Sequence, residues 1–259
     1  MRLVSALSVT LLLGAGALAV SIPAWATGTP STAPATATPA TAQKPATAPA
    51  AKSGFNEPNL RGLPGIGGKV TSTLITGAPL ANDYVKGSPN APLVMVEYAS
   101  LSCPHCAHFS NSVLPEIEKR YIATGKLRYI LRQFPLNESA LKGAMLLYCV
   151  GDQNPDKYYV FAKVLFDAQN KWAFDGNYLS GLETIAAVGG VTKEQFANCI
   201  SSTDREMAVL RDKKLANDEL KIPHTPYMYI GNEIYEGERT VENVSQFIDA
   251  KLAEIAAKK

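Results

Sequence analysis

The sequence is poor in metal-ligand patterns: of its 259 residues three are histidine and four cysteine. The C-x-x-C at Cys103 and Cys106 has no second C-x-x-C or H-x-x-x-H to accompany it. A closed structural zinc site takes four ligands, so Cys103, Cys106 and His108 are one short. A c-type haem site needs histidine directly after the second cysteine, and Ala107 stands there. No cofactor or metal is therefore expected. Runs of like charge are also missing: 25 Lys and Arg are scattered among 23 Asp and Glu. Nothing in that distribution directs the chain to nucleic acid or to an anionic membrane. No segment beyond the first 26 residues is long and apolar enough to span a bilayer. The Pro/Ala/Thr-rich stretch at 27–54 shows no heptads, which favours a monomer.

What is present divides the chain into unlike stretches. Arg2, the apolar run from Leu3 to Val20 and the small-x-small triplet Ala24-Trp25-Ala26 read as an export signal over residues 1–26, cleaved after Ala26. Residues 27–54 hold no large apolar side chain and are rich in Pro, Ala and Thr, the composition of a disordered tether. Residues 55–81 form a loosely defined lead-in with one possible short strand, VTSTLI. Export places the remainder where disulfides form and persist, in the periplasm or beyond.

The folded body begins near residue 82. Leu93 to Ala99 is a near-continuous apolar run, as in a strand buried on both faces. Phe109, Val113, Leu114, Ile117, Tyr121 and Ile122 then recur at helical spacing, with Pro115 as a kink and Gly125 as a stop. KLRYILRQF reads as a second strand, which makes a βαβ unit. Residues 136–221 are helical in pattern: Ala140 to Tyr148, a helix opened by Asn154-Pro155, a capping box from Thr192 to Gln195, and a long helix from about Thr203 to Leu220. TPYMYI and EIY flank Gly231-Asn232 as a hairpin, and Thr240 caps a last helix. The expected class is α/β: a βαβ…ββα body over 82–135 and 222–259 with an all-helical insertion at 136–221.

C-x-x-C beside a βαβ unit is the thioredoxin-like redox arrangement. Cys103 falls where strand gives way to helix, with Pro104 at the first helical position, where its missing N–H costs nothing. Free backbone donors and the positive end of the helix dipole then favour the Cys103 thiolate, and His105 adds to this. Cys103 is thus the expected nucleophile and the shielded Cys106 the resolving thiol. Whatever stabilises the thiolate stabilises the reduced protein over its disulfide, so a depressed thiol pKa makes the disulfide a better oxidant.

EYASLSCPHCAHF, the downstream RQFPL and the Thr-Pro ahead of a hairpin together resemble the DsbA-like thiol:disulfide oxidoreductases. The resemblance runs from about Gly87 to Leu252. It implies a thioredoxin fold, donation of the Cys103–Cys106 disulfide to reduced exported proteins, and reoxidation by a DsbB-like membrane partner. It also implies that Pro226 is a cis-proline facing the disulfide, with Thr225 lending its backbone to an extended substrate. Relatives of the isomerase type often carry Thr at the position of Thr225, so a disulfide isomerase or reductase stays open. A zinc-stabilised peptide-binding module is the alternative of a different class.

Glu97, six positions before Cys103 on a buried strand, would be costly without a task or a partner. It is a candidate proton relay to Cys106, the alternative being a partly wet face. Cys149 and Cys199 lie on separate expected helices, and pairing them leaves the C-x-x-C intact; relatives with a second bridge fit this, and two buried thiols are the alternative. His108 reads as a surface residue, and His224 as a loop residue beside the substrate groove.

Overall fold

The computed structural model describes residues 74–75 and 80–258. The expected signal, the tether and most of the lead-in lie outside the described residues. Of the VTSTLI strand only Leu74 and Ile75 are described, and they are helical. Leu74 is fully buried, and its carbonyl accepts from the Tyr98 hydroxyl and the Arg132 guanidinium, so side chains satisfy it where a strand would use a ladder.

Five strands form one sheet: β1 (Val85–Lys86), β2 (Leu93–Ala99), β3 (Leu127–Gln133), β4 (Tyr227–Ile230) and β5 (Glu233–Tyr235), in the order β1-β3-β2-β4-β5. β2 runs parallel to β3, with Leu93 opposite Leu127 and Ala99 opposite Gln133, and antiparallel to β4. All seven residues of β2 are buried because both faces of the sheet are covered. Strand periodicity sorts them. Leu93, Met95 and Ala99 join the larger core, which includes the helix that carries the cysteines. Val94, Val96 and Tyr98 join a smaller cluster with Ile130, Tyr229 and Ala216. Glu97 shares the parity of Met95 and Ala99 and so faces the cysteine side.

The helix after β2 is continuous but uneven: α1 (Pro104–His108), a π turn (Phe109–Val113), α2 (Leu114–Ile117) and a second π turn (Glu118–Ile122). Pro115 has no N–H to return to the preceding turn, and the wider π turn directly before it accommodates that gap. The inward residues are those the spacing selects, from Phe109 at 0% exposure to Leu114 at 7%. Gly125, at φ +71°, ends the run.

The insertion comprises α3 (Glu138–Gln153), α4 (Lys157–Asp167), a 3-10 turn (Gln169–Lys171), α5 (Tyr178–Val188), α6 (Lys193–Ser201) and α7 (Thr203–Leu220). Asn137, Thr192 and Ser202 cap α3, α6 and α7 with side-chain oxygens, and Thr192 with Gln195 completes a capping box. The helix expected to open at Asn154-Pro155 begins at Lys157, because the Asn154 side chain closes a turn on the Asp156 amide first. α7 leaves the insertion and lays Ala216 against the second face of the sheet. α8 (Val241–Ala257), capped by Thr240, returns Val244 and Ile248 to the first face. The architecture is the expected βαβ…ββα body with an all-helical insertion.

A buried ion pair escaped the sequence reading. Arg132 donates to both oxygens of Asp83, with the closest approach at 2.7 Å, and to the Tyr98 hydroxyl at 2.9 Å. The two charged side chains are 5% and 3% exposed, so each depends on the other for its solvation.

Candidate active site

Cys103 is the N-cap residue of α1, extended at φ −88° and ψ 119°, with Pro104 following. Its side chain makes no cap hydrogen bond, which leaves the first-turn amides free to face the sulfur. The chain reaches this point through a tight turn: the Cys103 amide donates to the Ser100 carbonyl at 3.0 Å, and the Ser100 and Ser102 hydroxyls lie 3.1 Å apart. Cys103 keeps 6% exposure and Cys106 none, and both are free thiols. Pro104 and His105 are exposed.

Opposite the sulfurs stands the loop before β4. The Thr225–Pro226 peptide is cis, and the Thr225 carbonyl accepts from Cys103 Sγ at 3.3 Å. Arg239 donates to the Pro226 carbonyl at 2.9 Å.

The electrostatics separate the two thiols. Cys103 is lowered to about 5, first by a hydrogen bond from the Cys106 thiol and then, against the opposing effect of burial, by the backbone amides of Cys106 and His105. Burial pushes Cys106 well above the ordinary thiol range, and the Cys103 charge adds to this. The leading support for the thiolate is therefore the neighbouring thiol. His105 contributes its backbone N–H.

Glu97 is 2% exposed, so no wet face relieves it. Burial raises its carboxyl to about 7, while a hydrogen bond from Tyr129 pulls the other way. Tyr129 was missed in the sequence although strand parity points to it: Met95 pairs with Tyr129 and Glu97 with Leu131, which puts Tyr129 one step from Glu97 on the same face. Gln169 was missed too, and nothing in the sequence marks it. Its side-chain amide, from the turn after α4, donates to the carbonyls of Leu101 at 2.8 Å and Cys103 at 3.0 Å.

The remaining candidates lie apart. Cys149 of α3 and Cys199 of α6 form a disulfide with Cα atoms 5.9 Å apart. His108 is exposed, and His224, also exposed, meets the Tyr227 ring edge-on. Among the described residues no group of three or more His, Cys, Asp or Glu side chains is placed to hold a metal ion.

A family model described as thioredoxin matches residues 80–250. The crystal structure of Wolbachia pipientis alpha-DsbA1 is 34% identical with a TM-score of 0.65, covering 70% of this chain and 96% of that one. A Rickettsia felis protein named as a protein-disulfide oxidoreductase is 31% identical over 173 residues, 67% of this chain and 61% of the relative. Disulfide bond formation protein D of Bacillus subtilis is 24% identical over 185 residues, 69% of this chain and 81% of that protein. The chain thus spans less than two thirds of the length of the Rickettsia felis relative.

Proposed function

The chain belongs to the DsbA-like branch of the thioredoxin family, and on that premise we propose that it is an exported oxidase that donates the Cys103–Cys106 disulfide to reduced proteins. A substrate thiolate attacks the sulfur of Cys103, the more exposed of the two cysteines. The S–S bond breaks and Cys106 leaves as a thiolate. A second substrate thiolate attacks the substrate sulfur of the mixed disulfide, forming the substrate disulfide and releasing Cys103 as a thiolate. Two electrons pass from substrate to protein.

The observation that carries this reading is the place of Cys103 at the N-cap of α1, ahead of the fully buried Cys106 and against the Thr225 loop, where its thiol is lowered to about 5. A thiolate so supported is a good leaving group, and a thiol ionising near 5 biases the exchange toward the reduced protein by on the order of 3 kcal/mol at neutral pH. Cys106, whose thiolate is disfavoured, needs a proton on leaving. Glu97, near its midpoint at neutral pH, supplies one from inside the core. The loop before β4, which lies against Cys103, offers the Thr225 backbone to an extended substrate segment, in the manner of an added strand. Substrates are reduced exported proteins, and a DsbB-like membrane oxidase returns the pair to its disulfide. The export triplet at Ala24-Trp25-Ala26 supports the location.

The deciding experiment is the redox equilibrium of the Cys103–Cys106 pair with glutathione. A strongly oxidising constant is expected. A thioredoxin-like constant would transfer the reading to an isomerase or reductase, which Thr225 leaves open.

A further inference from the structure

We propose that Gln169 is a positioning residue through which the helical insertion holds the Cys103 turn in the shape that supports its thiolate, an inference that rests on the oxidase reading above. Its side-chain amide carries two N–H groups, and the two bonds it makes fall on carbonyls two residues apart in the turn, 68 and 66 positions away in sequence. They straddle Ser102 and grip the turn on both sides. The Cys103 carbonyl also receives the Ala107 amide at 3.1 Å, the first hydrogen bond of α1, so Gln169 acts where the helix is nucleated.

The platform beneath Gln169 is rigid. Its own carbonyl accepts from the amides of Trp172 and Ala173. Trp172 is fully buried, and its indole N–H donates to the Leu165 carbonyl at 3.0 Å. Its ring and backbone crowd Gly143 and Gly181 so closely that a Cβ there would sit 2.9 Å and 2.7 Å from Trp172 atoms. The Ala173 carbonyl takes the Ser139 hydroxyl at 2.8 Å. α3, α4 and α5 thus fix the donor opposite the carbonyls of the active-site turn. Gln169 is itself only 4% exposed, a position at which an apolar side chain would otherwise be favoured.

The consequence is a difference between redox forms. In the disulfide form the S–S bond itself ties Cys103 to α1. In the reduced form only non-covalent contacts keep Sγ against the amides of His105 and Cys106, so the grip of Gln169 counts for more there. A contact that favours the reduced form makes the disulfide more oxidising.

The test uses the full chain with Gln169→Met, which keeps the length of the side chain and removes both donors. Thiolate absorbance against pH and the glutathione equilibrium are read beside the wild type. The expected result is a higher Cys103 midpoint and an equilibrium shifted about tenfold toward the disulfide, the size of one lost buried hydrogen bond. Unchanged midpoint and equilibrium, with both redox forms losing equal thermal stability, would show Gln169 to be packing only and overturn the inference. If Gln169→Met does not fold, Gln169→Asn gives the same readout: a smaller rise supports the inference and none overturns it. A wild-type midpoint in the ordinary thiol range overturns the oxidase reading and this inference together, whereas a low wild-type midpoint matched by the variant overturns this inference alone.

Discussion

Tyr129 donates a hydrogen bond of 2.5 Å to the Glu97 carboxylate, and neither side chain is more than 2% exposed. The pair joins β3 to β2 on the face that carries the cysteine helix. As a donor to the carboxylate, Tyr129 favours the ionised form and restrains the rise that burial imposes. Tyr129→Phe should therefore lift Glu97 above its value of about 7. Infrared titration of the buried carboxyl band checks this directly. Glu97→Gln should remove the corresponding inflection from the pH profile of disulfide exchange and slow the step in which Cys106 leaves; an unchanged profile would remove Glu97 from the proton path.

Reduced and oxidised protein should diverge in stability as pH rises. Cys103 ionises near 5 when folded, below the ordinary thiol range that the unfolded chain adopts. A depressed pKa contributes stability that is present above the unfolded value and lost as pH falls through the folded one. The reduced form should thus gain on the oxidised form between about pH 5 and pH 9, by up to roughly 5 kcal/mol. Glu97, raised to about 7, works in the opposite direction, but its burial is common to both forms and largely cancels in the difference. Urea unfolding of each form across this range measures the gap.

The Cys149–Cys199 bridge closes a span of 50 residues and ties α3 to α6. In the chain-entropy account a loop of that size restricts the unfolded ensemble by roughly 4 kcal/mol. Replacing both cysteines with alanine should lower the unfolding free energy by about that amount, seen as an earlier urea midpoint in both redox forms.

Arg132→Met should be among the most damaging single changes away from the cysteines. It leaves Asp83 buried without its cation, at a cost of about 3 to 5 kcal/mol. Adding Asp83→Asn should recover part of the loss, because the remaining group is then neutral. A double-mutant cycle on unfolding free energy isolates the coupling.

The sequence is most informative where local rules act alone. The buried strand from Leu93 to Ala99, the cap residues Thr192 and Thr240, the Gly231-Asn232 hairpin and the Pro104 helix start each follow from neighbours a few positions away. Tyr129 was within reach, since parallel register and strand parity place it beside Glu97. Gln169 and the Asp83–Arg132 pair were not. Their partners lie 49 to 68 positions away, and no periodicity encodes a meeting that only the folded chain brings about. The thiolate shows the same limit in its chemistry. Helix position forecasts a lowered pKa, but the largest contribution comes from how the Cys106 thiol turns toward its neighbour.

Sheet order has one more effect. β3 and β4 both border β2, and Gln133 and Tyr227, where the chain departs for the helices and where it comes back, stand beside Ala99 and Tyr98 at the same end of that strand. The two stems of the side branch are rooted about 10 Å apart, two strand spacings, on the rim that bears the sulfurs. Lengthening or trimming that branch re-threads no strand, so this architecture lets the canopy over the reactive pair be remodelled while the chemistry beneath it stays in place.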